Sequence, residues 1–312
     1  MAEEAVSIQR AIRVIARDAL EQEAGGRLRS VLEYQTMATV GAGTVQRAFH
    51  MLEDSGAVVT RTRGYQGRFV LSRDLGRLWL LAGLPQARVV LTPPGAVEVY
   101  AMAEALFMEF AHIGIPLRID YRRGAANRLH DVTQSLSAAV VSEGAVLAAN
   151  DGHLRWRTMG EGTYYAPGSI VVLSNRHFEP GRARTFRIGV DRESDDHVRL
   201  TNLEFPEGDH LYVECPFPDV PSEILRGNID VGIWHRMLLL IPPDVVGLQE
   251  RPLSPAGQKL VTHLSRAVIA SSSEATVLAN VIDALSFARI ARVQRKLISA
   301  QLRQAIASAW YR

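Results

Sequence analysis

The stretch from Gly43 to Val70, GTVQRAFHMLEDSGAVVTRTRGYQGRFV, constrains this chain more than any other, because three kinds of local signal meet in it. Val45, Ala48, Phe49 and Leu52 stand at i, i+3, i+4 and i+7, the spacing of one buried helix face. Gln46, Arg47 and His50 then fall on the opposite face. Thr44 is expected at the helix start, where a hydroxyl satisfies free N–H groups or meets a phosphate. Gly56 is expected to end the helix. Ala57–Thr62 and Arg68–Leu71 read as short strands, with Gly64 and Gly67 permitting a tight reversal between them. Arg61, Arg63, Arg68 and Arg73 crowd that hairpin, which suits a flap lying along a phosphate backbone.

An ordinary helix-plus-hairpin of an α+β domain carries the same local pattern. The preceding segment bears on the choice. Ser30 and Glu33 form an S-x-x-E capping box, Val31, Tyr34, Met37 and Ala38 continue a helix, and Gly41, Ala42 and Gly43 are expected to supply the next turn. Helix, glycine-containing turn and second helix is the order a helix-turn-helix needs.

The segment resembles the winged helix-turn-helix of the GntR regulator family, with Ser30, Thr44, Val45, Ala48, Leu52, Glu53, Gly56, Phe69 and Val70 in matching positions. It departs at Leu32, where the family carries Arg, and at Gly41 and Ala42, where it carries Ser-Arg. The resemblance implies double-stranded DNA as partner, with contacts from Ser30, Thr44, Gln46, Arg47, His50, Arg61, Arg63, Gly64 and Arg68. Because of the departures, base contacts rest on Gln46, Arg47 and His50. Recognition of a two-fold DNA site implies a homodimer.

The length of 312 residues allows roughly two domains, and 47% hydrophobic residues suffice for real cores. The expected division is 1–72 as DNA-binding domain, 73–85 as connector and 86–312 as ligand-binding domain. A net charge of only +2 makes nucleic-acid binding a matter of local clustering. Such clustering occurs from Ala57 to Arg77, where Arg61, Arg63, Arg68, Arg73 and Arg77 stand against Asp74 alone. Cys215 is the single cysteine, so no intrachain disulfide forms. The N-terminus MAEEAVSIQR has acids where a signal peptide carries positive charge, and no apolar run reaches membrane-spanning length. A cytoplasmic protein without membrane attachment is expected.

Val6–Leu20 reads as a first helix, and Leu75–Leu84 as an apolar connector, either a short helix buried on the next domain or a linker. Beyond Ala87 strands alternate with helices. Arg88–Leu91, Leu117–Tyr121 and Ala138–Val141 form one set of strands, and Arg187–Val190, Leu211–Val213 and Val231–Trp234 a second. That alternation predicts mostly parallel sheets in two lobes. Ala267–Ala270 returns as a strand, Ser273 is expected to start a helix through Phe287, and Ala288–Trp310 reads as an amphipathic basic helix. From Val281 onward six basic residues face one acid, Asp283. The helix either docks with a solvated face or touches DNA or a membrane surface.

Three places suit a polar small molecule. Arg123 and Arg128 lie after a strand and open a helix, a position where free N–H groups and guanidinium forks hold carboxylate or phosphate, although salt bridges to Asp131 or Asp120 would use the same side chains. Asp191 and Ser194 recur at a strand-to-helix turn in the second set, where Ser194 is also a natural N-cap. Thr92 sits in the T-P-P-G loop, and Trp234 either walls a pocket or joins the core.

In order, RVVLTPPGAVEVYAMAEAL, RRGAANR, AAVVSEGAVLAA, RIGVDRESDDHVRLT and GNIDVGIW resemble the ligand-binding domain of YhfZ-like regulators, which have the type 2 periplasmic-binding-protein fold. The resemblance implies a cleft lined by Thr92, Arg123, Arg128, Ser142, Asp191, Ser194 and Trp234. The fold expected is therefore α/β: an N-terminal winged helix-turn-helix followed by a two-lobed α/β periplasmic-binding-protein-like domain. The function expected is a ligand-responsive transcriptional regulator that binds a small anionic metabolite, with no catalytic residues, cofactor or metal. The competing reading is an enzyme with a regulatory head. A pyridoxal-phosphate version needs Lys259 or Lys296, and a metal version needs Asp191, Asp195, Asp196 and His197.

Overall fold

The computed structural model describes residues 2–149, 151–176, 178, 185–206, 208, 210–236 and 242–310. Its contacts divide the chain into two compact units. The first is Met1–Arg88 with Phe107–Arg118 and Ser273–Leu285, and the second is Val89–Leu106 with Ile119–Ser272 and Ser286–Arg312.

In the first unit, α1 (Ala2–Glu21) packs on α2 (Val31–Ala38) and α3 (Ala42–Asp54). The S-x-x-E box forms as its side chains dictate: the Ser30 N–H donates to Glu33 Oε2 at 2.7 Å, and the Glu33 N–H returns to Ser30 Oγ at 3.3 Å. α2 then stops at Thr39, which takes a left-handed φ of 54° and donates its N–H to Gln35 O. The turn therefore lies at Thr39–Gly41 rather than at Gly41–Gly43. Gly41 is the N-cap of α3, so Ala42 and Gly43 are helical and Thr44 sits inside the first turn instead of at its start.

α3 buries Val45, Ala48, Phe49 and Leu52 and exposes Gln46, Arg47 and His50. The wing follows as β1 (Val58–Thr62) and β2 (Arg68–Arg73), antiparallel, with a single 3-10 turn at Gly64–Gln66 between them. Residues 25–28 add a short third edge, for the Leu28 N–H donates to Arg68 O at 2.9 Å and the Val70 N–H to Gly26 O at 2.9 Å. Buried Asp18 of α1 ties these parts together. It accepts hydrogen bonds from the Tyr34 hydroxyl, from the Arg29 guanidinium and, at 3.0 Å, from the Arg29 backbone N–H. Burial, followed by that hydrogen bond, pushes the Tyr34 phenol well above its ordinary range.

The connector becomes α4 (Leu75–Leu81), which packs on α1 with Leu78 and Trp79 fully buried. Gly76 is required there, since a Cβ would stand 2.5 Å from Ile113 O.

The second unit carries two lobes. The first lobe has the strand order β4-β3-β5-β12-β6, made of β3 (Ala87–Leu91), β4 (Leu117–Tyr121), β5 (Ser137–Ser142), β6 (Leu154–Thr158) and β12 (Ala267–Ser272). Its helices are α5 (Val97–His112, whose last turns count with the first unit), α6 (Ala125–Gln134) and α7 (Glu143–Ala149). The second lobe has the order β11-β7-β10-β8-β9, made of β7 (Ile170–Asn175), β8 (Arg187–Val190), β9 (Leu211–Glu214), β10 (Val231–His235) and β11 (Leu248–Pro252). Its helices are α8 (Asp195–Glu204), α9 (Val220–Leu225) and α10 (Pro255–Leu264).

β8 runs parallel to β9 and β10, as helix-linked strands do, but β7 is antiparallel to both β10 and β11, and β12 to both β5 and β6. The sheets are mixed because the chain crosses from one lobe to the other and back. The strands that enter at these crossings, β7 and β12, run against their neighbours. Successive residues of β7 face opposite sides: Ile170 and Val172 join one core beneath α8 and α10, while Val171 and Leu173 join another beneath α9.

α11 (Thr276–Ala284) belongs to the first unit and packs on α1. It begins after Ala275 without a side-chain cap, not at Ser273. α12 (Phe287–Trp310) buries Ile290, Ala291, Gln294 and Ile298 within the second unit. The architecture is thus a winged helix-turn-helix followed by a two-lobed α/β domain of the periplasmic-binding-protein kind.

Candidate ligand cavity and nucleic-acid interface

Between the lobes of the second unit lies a cavity of about 60 Å³, room for roughly four to six waters at about 10–15 Å³ each. One wall is the end of β3 with Thr92, the α5 residues Glu98 and Met102, and the β4–α6 turn with Arg123, Gly124 and Arg128. The other is the β8–α8 turn with Asp191, Ser194 and Asp196, together with Phe217 and His235, and Tyr164 and Tyr165 close one side. Both walls are strand ends followed by helix N-termini, the place where such sheets present N–H groups and polar side chains.

The two arginines expected to form one fork do different work. Arg123 donates from Nη2 to both Asp191 oxygens, at 3.1 and 3.3 Å, and so bridges the lobes. Asp191 is otherwise saturated by the N–H groups of Glu193 at 3.1 Å and Phe217 at 3.0 Å. Arg128 is only 2% exposed and donates to three neutral acceptors: Val140 O at 3.1 Å, Arg122 O at 2.9 Å and the Tyr164 hydroxyl at 3.0 Å. Among the described residues no carboxylate pairs with it, because Asp131 is taken by Arg122 at 2.5 Å. A buried guanidinium with hydrogen bonds but no counter-charge leaves a positive potential at the cavity wall.

Opposite charge is also present. Glu98 is 2% exposed, and its Oε1 accepts from the Ala166 N–H at 3.1 Å and lies 3.2 Å from His235 Nε2. Burial alone would push this carboxyl up, but the hydrogen bond and charge of His235, with backbone donors, outweigh it and hold the carboxyl below its ordinary value. Asp196 accepts from the Tyr165 hydroxyl at 3.1 Å, and burial pushes its carboxyl up. Among the described residues Glu98 Oε2 is buried without a hydrogen-bond partner, while Asp196 Oδ1 lies toward Ser142 and Gly144 at the start of α7.

Of the expected lining residues, Thr92, Arg123, Arg128, Asp191 and Ser194 meet at the cavity, and Ser142 and Trp234 do not. Ser142 is fully buried at the end of β5, where its Oγ accepts the Ala145 N–H at 3.2 Å. Trp234 is 1% exposed and belongs to the core beneath α9. The cause is strand alternation: Trp234 and His235 point to opposite faces of β10, and His235 is the one that reaches the cavity. Glu98, Tyr164 and Tyr165 were missed as well, and Asp196 had been considered only as a metal ligand. The T-Y-Y run was the one available signal, since paired tyrosines between strands suit a pocket wall.

For the metal reading, His197 is decisive. Its Nδ1 accepts the Asp191 N–H at 3.0 Å and its Nε2 therefore donates to Ile233 O at 2.9 Å, so neither nitrogen is left for a metal, and burial lowers its pKa. Lys259 and Lys296 are exposed on α10 and α12 and lie outside the cavity wall. Cys215 is buried among apolar neighbours, and its thiol is pushed up to about 12, the setting of an unreactive cysteine.

On the first unit, the outward face of α3 presents Gln46, Arg47 and His50, and Arg47 forms an exposed ion pair with Glu4. The wing arginines divide. The Arg61 side chain is exposed and unpaired among the described residues, and Arg63 is exposed with its guanidinium 4.8 Å from the Phe69 ring centre. Arg68 instead turns inward, donating to Glu53 at 3.0 Å and Thr60 at 3.1 Å and stacking 4.3 Å from the Phe49 ring centre. Arg73 donates to Ala19 O and Leu20 O at the end of α1, and Arg77 to Ser55 O. Ser30 is committed to its capping box, and Gly64, at φ 53°, shapes the tip. Next to it Tyr65 is 96% exposed, a residue that sequence patterning had not singled out.

The sequence matches the family described as YhfZ C-terminal domain over residues 74–305, and a helix-turn-helix domain family over residues 23–70. It is 24% identical to the uncharacterized protein YhfZ of Escherichia coli (strain K12) over 246 residues, 78% of this chain and 79% of the relative. The crystal structure of YhfZ from Shigella flexneri superposes with a TM-score of 0.55 at 19% identity, covering 73% of this chain and 96% of that one. The periplasmic aliphatic sulphonate binding protein SsuA from Escherichia coli gives a TM-score of 0.49 at 13% identity, covering 72% and 77%. Among the described residues no helix is long and apolar enough to cross a membrane.

Proposed function

The chain belongs to the YhfZ C-terminal domain family, and from that premise we propose that it is a transcriptional regulator whose interlobe cavity senses a small metabolite bearing an anionic group. The observation that carries the reading is Arg128, a buried cation at the cavity wall whose partners among the described residues are neutral. A bound carboxylate or phosphate supplies the missing charge. Thr92, Ser194 and the Arg123–Asp191 bridge complete the site, and the bridge is the element that closure of the lobes makes or breaks.

The head, a GntR-like winged helix-turn-helix spanning 1–72 with 73–85 as its connection, reads double-stranded DNA as a homodimer in the cytoplasm. Gln46, Arg47 and His50 enter the major groove, and Thr44, Arg61, Arg63 and Gly64 meet phosphates. Ser30 and Arg68 act by holding α2 and the wing in shape. Metabolite and DNA then share one coupling free energy, each changing the affinity of the other by the same factor. No catalytic step is assigned to the chain.

Gel shifts on its own upstream DNA test the head. Arg47→Ala and Arg61→Ala are expected to weaken binding at least several-fold, and unchanged binding in both removes the recognition assignment. A thermal-shift screen of carboxylates and phosphorylated metabolites against wild type and Arg128→Lys tests the cavity.

A further inference from the structure

The interlobe cavity has an apolar annex that an anionic group alone leaves unused. Four side chains, Tyr165, Ser194, Phe217 and His235, line both the cavity and a second space of about 30 Å³, whose remaining walls are Ile170, His197, Leu200 and Ile233. Ile170, Leu200 and Ile233 belong to the buried core of the second lobe. His197, the polar residue among them, is already committed at both ring nitrogens, to the Asp191 N–H at 3.0 Å and to Ile233 O at 2.9 Å. Beyond the four shared side chains, the annex therefore offers no uncommitted polar side chain among the described residues. A space of this kind in a close-packed core is uncommon, and its apolar walls favour hydrocarbon over water. Three rings stand at the junction: Tyr165 meets His235 edge to face at 5.3 Å between centres, and Phe217 lies 6.5 Å from His235. Arg128 lines the cavity and not the annex, so charge and hydrocarbon surface are segregated along the combined space.

We propose that the ligand is an amphipathic anion, a carboxylate or phosphate ester with a short alkyl tail, its charged group on Arg128 and its tail passing between the three rings into the annex. At about 10–15 Å³ for each water-sized group, the annex takes roughly two or three carbons, and the two spaces together bound the tail of a carboxylate at about three to six. Hydroxyls or a second carboxylate on the tail are stranded there without partners, which selects against sugar acids and dicarboxylates. This inference rests on the anion reading for the head of the ligand and adds to it the requirement for an apolar tail.

The test uses the full chain, read by thermal shift and then by calorimetry, against straight-chain carboxylates from propanoate to octanoate and alkyl phosphates from ethyl to hexyl. The uncharged amide and the dicarboxylate of the best chain length are measured beside them. In one series affinity is expected to rise about fourfold per added methylene, the worth of one buried CH2 group, and to fall once the annex is full. The series that responds identifies the head, and the amide and the dicarboxylate are expected to bind at least tenfold more weakly. Leu200→Phe is expected to move the optimum at least one carbon shorter and Leu200→Ala at least one carbon longer. Opposite shifts of an optimum do not arise from misfolding, and either variant serves if the other fails to fold. If the anions bind with no dependence on tail length, or if the optimum stays put in the variants, the annex assignment is wrong and the anion reading survives. If the amide binds as tightly as the anion, the charged head falls and the proposal with it, and if nothing in either series binds, both readings fall.

Discussion

Arginine is used in opposite ways at the wing and at the cavity. On the wing, Arg61 and Arg63 are exposed, while Arg68, Arg73 and Arg77 are spent on Glu53, on the end of α1 and on Ser55. At the cavity, Arg123 is spent on Asp191, and Arg128 is buried on neutral acceptors. What partners a guanidinium has, more than how many stand nearby, decides what it is free to bind. Two exposed cations suit a polyanion that delivers many phosphates at once, and one desolvated cation suits a single anionic group.

The contrast can be broken in measurable steps. The largest effect is expected from Arg128→Met, which strands Val140 O, Arg122 O and the Tyr164 hydroxyl without donors and should cost about 3 kcal/mol in urea unfolding, together with ligand binding. Arg68→Ala removes a charged hydrogen bond and a ring contact, so it should lower stability by about 2 kcal/mol while leaving the salt slope of DNA binding unchanged. Gly124→Ala should cost about 1–2 kcal/mol. Its φ is 76°, and a Cβ there would meet Asn127 Nδ2 at 2.7 Å and Glu193 O of the other lobe at 3.2 Å. Arg61→Ala and Arg63→Ala should barely change unfolding, but each should reduce the slope of log K against log salt by about 0.9. An Arg61→Ala protein with the full slope would break the contrast outright.

The smallest effect concerns Asp196. Its folded pKa is raised by burial, so the folded state holds its proton more tightly than the unfolded one and stability falls as pH rises through the folded value. Asp196→Asn should therefore raise the melting temperature of the ligand-free chain at pH 7, with the gain shrinking toward pH 4.

How much of this was legible depended on how local the cause was. The helices α2 and α3 and the wing are written in short-range signals: the Ser30–Glu33 box, the Val45–Leu52 face and Gly64 at the tip. Ser194 announced α8 in the same way. α7, β6, β7, β11 and α10 were not read, although Ser142 caps the start of α7 and Ser254 with Pro255 marks the start of α10. In β10 all five residues are buried, so no polar alternation marks which face meets the cavity, and Trp234 was favoured over His235 for its size. Likewise, nothing near Arg123 indicates that Asp191, 68 residues on, will claim it. Residue types at the site were readable; their pairing was a property of the closed chain.

Asn280 on α11 donates from Nδ2 to Leu20 O and Glu21 O, at 3.0 and 2.9 Å, and so finishes α1 from some 260 residues away. Val277, Leu278, Val281 and Ile282 are buried on the same helix. The DNA-reading head is consequently a non-contiguous fold: a fragment ending near Arg88 would keep Arg73 on Ala19 O and Leu20 O but lose the Asn280 donor to Glu21 O and leave the apolar surface beneath α11 wet. Genetic excision of the head should yield an unstable fragment, and swapping it between relatives requires carrying α11 along with it.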